Sequence, residues 1–157
     1  MYRMLIVDDE KNERDCILYL LKNSGLPLEI REAEDGVAAL ALLKGWPAHI
    51  LFTDVQMPRM GGLELIQKAL ALYPDIRPII FSGYADFAYA KTAISLGVEN
   101  YILKPVVPDE LSKTLTTLIS QLDADRENFD KQENQKLIHF SLRSLEILIR
   151  QKQSLLY

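Results

Sequence analysis

Cysteine is almost missing from this chain: Cys16 stands alone among 157 residues. One thiol closes no disulfide within the chain and builds no multi-thiolate metal site, so a cytoplasmic compartment is the expectation. Histidine is nearly as scarce. His49 and His139 have no metal-ligand spacing to each other or to Cys16, and both read as ordinary structural residues. Long apolar runs are lacking too. None approaches the roughly 20 residues that span a bilayer, and the N-terminus leads straight into a strand pattern, so neither a membrane anchor nor a signal peptide is expected. Positive charge is in deficit, with 18 Lys and Arg against 22 Asp and Glu. The chain lacks the field that draws proteins to a phosphate backbone, and no nucleic-acid binding is expected of these residues by themselves.

What is present is enough apolar material, 48% of the residues, for one core and an appended element. Up to about residue 122, short β-branched runs alternate with longer amphipathic segments, the pattern of repeated βα units around a parallel sheet. Strands are predicted at 4–7, 29–33, 49–53, 78–82 and 100–103. Leu5-Ile6-Val7, Ile50-Leu51-Phe52 and Ile79-Ile80-Phe81 are apolar without interruption, as strands covered on both faces must be, and are assigned to the middle of the sheet. Helices are predicted at 13–22, with Cys16, Ile17, Leu20 and Leu21 as the buried stripe, and at 36–43, with Val37, Leu40, Leu42 and Leu43. Two more follow at 63–72 and 87–96, and Pro108 opens a fifth, where its missing N–H costs least. Gly25, Gly45 and Gly97 are expected as left-handed residues just past helix ends. The fold class is α/β, a doubly wound five-stranded parallel sheet.

In such a sheet ligands bind beyond the carboxyl ends of the strands. Asp8 and Asp9 follow the first apolar run, Asp54 the third, Ser82 the fourth, and Lys104 with Pro105 the fifth. Three carboxylates on one rim repel one another unless a cation lies among them, and hard oxygen ligands suit Mg²⁺. A carboxylate beside that metal can act as a nucleophile toward a phosphoryl group, with the metal and Lys104 neutralising the transferring oxygens. Ser82 would hydrogen-bond one of those oxygens.

Asp8-Asp9-Glu10, Asp54-Val55-Gln56-Met57-Pro58 with Gly61-Gly62, Ser82-Gly83 and Lys104-Pro105, in this order and strand context, resemble the response-regulator receiver domain over residues 1–122. The resemblance implies a flavodoxin-like (βα)5 fold in which Asp54 accepts a phosphoryl group from a sensor histidine kinase. It further implies Mg²⁺ held by Asp9, Asp54 and the backbone carbonyl of Gln56, with Asp8 acting through water. Lys104 is assigned to the acyl phosphate, Ser82 to the switch hydroxyl and Tyr101 to the switch aromatic, so that phosphorylation remodels the face of the fourth helix and fifth strand. Such a chain catalyses only its own phosphorylation and dephosphorylation. Ser82 replaces the Thr of many relatives without losing the hydroxyl, and Gln56 puts an uncharged amide two residues past the acceptor.

The stretches Phe81-Ser82-Gly83-Tyr84-Ala85-Asp86-Phe87-Ala88-Tyr89-Ala90-Lys91 and 97–106 look like receivers that precede an AraC-type DNA-binding domain, which implies a role in transcription. No such domain is seen after residue 122, so DNA contact is expected to belong to sequence missing from this chain. Residues 123–136 are polar and helix-competent, and from Leu137 a stripe of Ile138, Leu142, Leu145, Ile149 and Leu156 recurs in steps of four, three, four and seven. Residues 123–157 are therefore expected to form a helical linker that pairs with a second copy, giving a homodimer; a helix folded onto its own receiver is the other reading. A phosphatase of the haloacid dehalogenase type would want a second Asp at position 56, where Gln stands. An unphosphorylated interaction module would have no use for the full set of acceptor-site residues.

Overall fold

The continuous apolar runs become the centre of the sheet. In the computed structural model, which describes residues 1–83 and 87–154, the chain alternates strand and helix from β1 (Tyr2–Val7) to α5 (Pro108–Ser154). Between them lie α1 (Lys11–Lys22), β2 (Leu28–Ala33), α2 (Gly36–Gly45), β3 (Ile50–Thr53), α3 (Gly62–Leu72), β4 (Arg77–Ser82), α4 (Phe87–Ser95) and β5 (Asn100–Leu103). All strands are parallel, in the order β2-β1-β3-β4-β5. Tyr84, Ala85 and Asp86 of the AraC-like stretch and Leu156 of the C-terminal stripe lie outside the described residues.

The chain divides into two compact units, residues 1–116 and 117–157. In the first, right-handed crossovers put α1 on one face of the sheet and α2, α3 and α4 on the other. Alternate strand residues feed the two layers: Leu5, Val7, Leu51 and Ile80 join Leu43, Leu65, Ile66 and Ala93 in one cluster, while Phe52 and Phe81 stack at 4.9 Å on the opposite face. Below the sheet, buried Trp46 is flanked by the guanidinium groups of Arg3 and Arg31, and the Arg3 amide donates to His49 Nδ1 at 2.9 Å. His49 is thus a structural acceptor. In the second unit the helical backbone continues to Ser154, and Ile138, Leu142, Leu145 and Ile149 are each more than half exposed.

Three local expectations need correction. Cys16 and Val37 are exposed; the stripe of α1 centres on Ile17 and Leu21, and that of α2 on Ala39 and Leu43. Both lie on the margin of an apolar face, where one residue's rotation of about 100° decides between core and water. Gly25 and Gly97 adopt φ of 71° and 82°, but Gly45 does not reach the left-handed region and is the last residue of α2. A Cβ there would meet nothing within 4 Å. Gly45→Ala is therefore expected to raise stability by about 0.5–1 kcal/mol in urea unfolding, since alanine narrows the unfolded ensemble without strain.

Candidate functional site

The strand order reverses direction between β1 and β3, and in doubly wound sheets such a switch point opens a crevice at the carboxyl ends. Asp8 and Asp54 are the residues that follow those two strands. The Asp54 amide extends the ladder by donating to Val7 O at 3.0 Å, so the acceptor carboxylate stands on the rigid end of a central strand. Asp8 is fully buried and Asp54 nearly so, whereas Asp9 is exposed. Lys104, whose backbone N–H donates a hydrogen bond to Ser82 O at 2.9 Å just past β5 and which precedes a cis peptide to Pro105, reaches across to both buried carboxylates. Its Nζ lies 2.8 Å from Asp8 Oδ2 and 3.4 Å from Asp54 Oδ2. The remaining oxygens are satisfied by backbone: Asp8 Oδ1 accepts from the Glu10 amide at 2.9 Å, and Asp54 Oδ1 from the Val55 amide at 2.7 Å.

Burial raises the Asp54 carboxyl above its ordinary range; the Lys104 charge pulls it back, and the neighbouring Asp8 pushes it up again. For Lys104, burial disfavours the ammonium, but the hydrogen bond with Asp8 and the charges of Asp54, Asp8 and Glu13 together outweigh burial and raise it. The site is thus an acidic pocket with one internal counter-charge for two buried carboxylates. Asp8, Asp9 and Asp54 can each bring one carboxylate oxygen within 4.8 Å of the others. A donor set of carboxylate oxygens alone, with neither His nor Cys, suits a hard cation such as Mg²⁺ in preference to a softer metal, and the surplus negative charge favours its entry. The residues fit the ion.

Ser82 is fully buried at the end of β4, and Tyr101, half-buried on β5, packs against the cluster containing Ile80 and Val98. Gln56 is exposed beside the acceptor, and its side-chain Nε2 donates to the Tyr89 hydroxyl of α4 at 2.7 Å. Met60 is buried in the core cluster and Met57 packs against it.

Several contacts in this geometry are not given by the sequence reading. A Cβ on Gly62 would stand 1.8 Å from the Asp54 carbonyl oxygen, so this glycine of the quoted motif is there for close backbone approach. Asp35 caps α2 through the Ala38 amide at 2.8 Å and pairs with Arg59, itself at φ 68°, which ties the acceptor loop to a second helix. The Ala38 hydrogen bond leads in holding the Asp35 carboxyl below its usual range, with the Arg59 charge adding to it against the effect of burial. Arg14 donates from Nη1 to the Asp8 carbonyl at 2.6 Å and from Nε to Glu32 at 3.0 Å. The Asp-Gly step at 35–36 signals a cap in sequence; the Arg59 and Arg14 partners, 24 and 18 residues away, give no local signal.

Residues 4–116 match the family described as the response regulator receiver domain. The chain is 35% identical over 140 residues to the transcriptional regulatory protein YesN of Bacillus subtilis (strain 168), covering 88% of this chain and 38% of YesN. It is 34% identical over 123 residues to the transcriptional regulatory protein HptR of Staphylococcus aureus (strain N315), covering 78% and 48%. The chain thus spans less than half the length of either relative. Among solved structures, a two-component transcriptional regulator AraC from Clostridium phytofermentans ISDg superposes with a TM-score of 0.72 at 36% identity, covering 82% of this chain and 99% of that one.

Proposed function

Because the chain belongs to the family of response regulator receiver domains, we propose that Asp54 accepts a phosphoryl group from the phosphohistidine of a sensor histidine kinase. The observation that carries this reading is the grouping of Asp54 with Asp8, Asp9 and Lys104 where β1, β3 and β5 end at one edge of the sheet. In the transfer, a carboxylate oxygen of Asp54 forms a bond to phosphorus as the P–N bond breaks, and the electron pair leaves with the kinase imidazole. Mg²⁺, held by Asp9, Asp54 and the backbone carbonyl of Gln56 with Asp8 acting through water, would supply positive charge to the transferring oxygens. Lys104 adds a second positive charge from a fixed position, which needs no rearrangement as charge builds up. The Val55 amide fixes the rotation of the Asp54 carboxylate.

Ser82 is the hydroxyl that turns toward the new phosphoryl group, and Tyr101 the aromatic that follows it, biasing the face of α4 and β5 toward a partner. The chain catalyses its own phosphorylation and dephosphorylation and no other reaction. Residues 1–122 act as the receiver, and 123–157 as the helical segment through which two copies pair, its exposed apolar stripe supporting that role. The output is transcription, with DNA contacted by an AraC-type domain outside these 157 residues. A lone exposed thiol and the absence, among the described residues, of any helix long and apolar enough to cross a membrane are in keeping with a cytoplasmic setting.

Intact-mass spectrometry after incubation with acetyl phosphate tests the reading. The expected result is one added phosphoryl mass in wild type with Mg²⁺, none in EDTA and none in Asp54→Ala. No adduct under conditions that label another receiver would overturn phosphoacceptor function and leave a silent interaction module.

A further inference from the structure

The last ladder residue of β1 is Val7, so the carbonyl of Asp8 lies beyond the sheet while its side chain is fully buried. A buried carbonyl needs a donor, and here it comes from the chain itself six residues on. Helix α1 begins at Lys11, which puts Arg14 in its first turns, and helical side chains lean back toward the N-terminus. The guanidinium therefore falls over the end of β1 and donates to Asp8 O at 2.6 Å. Its Nε is engaged at 3.0 Å by Glu32 of β2, and the Arg14 side chain is only 13% exposed. Two hydrogen bonds from one planar group fix its position in a way that the single ammonium of lysine does not reproduce.

We propose that Arg14, anchored by Glu32, is a positioning residue for the acidic site: by gripping the Asp8 carbonyl it fixes the peptide between Asp8 and Asp9 and so the direction in which Asp9 presents its carboxylate to Mg²⁺. Asp9 is the exposed member of the cluster and follows directly on that peptide. The inference rests on reading Asp8, Asp9 and Asp54 as a Mg²⁺ site. Charge alone makes the opposite demand, since a cation near a cation site weakens binding and its removal would tighten it. The sign of the effect separates brace from field.

The experiment is isothermal titration calorimetry of the full chain with MgCl₂, accompanied by thermal unfolding of each variant in EDTA. Arg14→Lys keeps the charge and loses the fork; Arg14→Met combined with Glu32→Gln removes one charge of each sign. Both are expected to weaken Mg²⁺ binding about ten-fold or more, the range typical of residues that orient metal ligands from behind. Variants that bind like wild type, with or without a lower melting temperature, would reduce Arg14 to a structural ion pair and overturn the proposal. Tighter binding would overturn it as well. Should Arg14→Lys not fold, Arg14→Met alone carries the test, because losing its charge would tighten Mg²⁺ binding and losing the brace would weaken it, and an unchanged or tighter affinity there overturns the proposal. If wild type binds no Mg²⁺, or Asp9→Ala binds as wild type does, the metal reading falls and takes this inference with it.

Discussion

Gly62→Ala is expected to lose about 3 kcal/mol of stability or more, and any folded fraction to be phosphorylated far more slowly than wild type. The added Cβ would sit 1.8 Å from the Asp54 carbonyl oxygen and 2.8 Å from the carbon that bears it. Those atoms are backbone, so no rotamer change relieves the overlap. Neither side can retreat cheaply: the Asp54 amide is bonded to Val7 O at 3.0 Å, and the Gly62 amide to Val55 O at 2.8 Å. Relief requires moving the end of β3 or the start of α3, and either movement displaces the acceptor carboxylate from Lys104. A displacement of about 1 Å in a reacting group can cost about 100-fold in rate. Gly61→Ala is the matched control, because its Cβ would meet only the Val55 carbonyl oxygen, at 3.0 Å. Urea unfolding and the rate of labelling by acetyl phosphate measure the two effects. A Gly62→Ala protein with the wild-type midpoint would show that the loop is not closed on itself as described.

The difference between what was legible in sequence and what was not follows from the range of the interactions. Central strands are legible because burial on both faces leaves no polar position in them, as in Ile79-Ile80-Phe81. The acidic rim is legible because strand ends are: Asp8 and Lys104 follow an apolar run directly, and Asp54 follows one after Thr53. Their convergence within hydrogen-bonding distance adds what sequence order alone does not contain. The compositional change after residue 122 is easily seen, yet the helix runs through it from Pro108 to Ser154, because composition reports burial and backbone continuity needs only the absence of Gly and Pro. Gly62 is legible as part of a motif but not as a contact. Arg14 and Arg59 are hidden because an arginine's partners are set by tertiary placement, with Glu32 and Asp35 on other elements.

Lys104→Gln should be destabilised by about 3 kcal/mol at neutral pH, since breaking a buried pair leaves charge without compensation. Here the abandoned partners are two, Asp8 at 2.8 Å and Asp54 at 3.4 Å, and neither carboxylate is well solvated. Asp54→Asn should do the reverse in EDTA and be more stable than wild type. The sign follows from the raised carboxyl of Asp54, which burial drives first. A folded-state value above the unfolded one means that ionisation opposes folding; the penalty is complete above the folded value and gone below the unfolded one. The gain from Asp54→Asn should accordingly be present at neutral pH and vanish on acidification through the carboxylate range, and the loss in Lys104→Gln should shrink over the same interval. Lys104 itself is raised, so its charge and the stability it brings persist throughout that interval and are lost only as pH rises through its folded value. In the double variant the loss from Lys104→Gln should be smaller than in the single one, because one of the two carboxylates it compensates is no longer charged. Mg²⁺ should narrow or reverse the order of wild type and Asp54→Asn, since only wild type retains the full set of ligands whose occupation stabilises the fold. Urea unfolding across pH, with and without Mg²⁺, measures all of these; additive losses that do not vary with pH would mean that the cluster is held by packing and not by its charges.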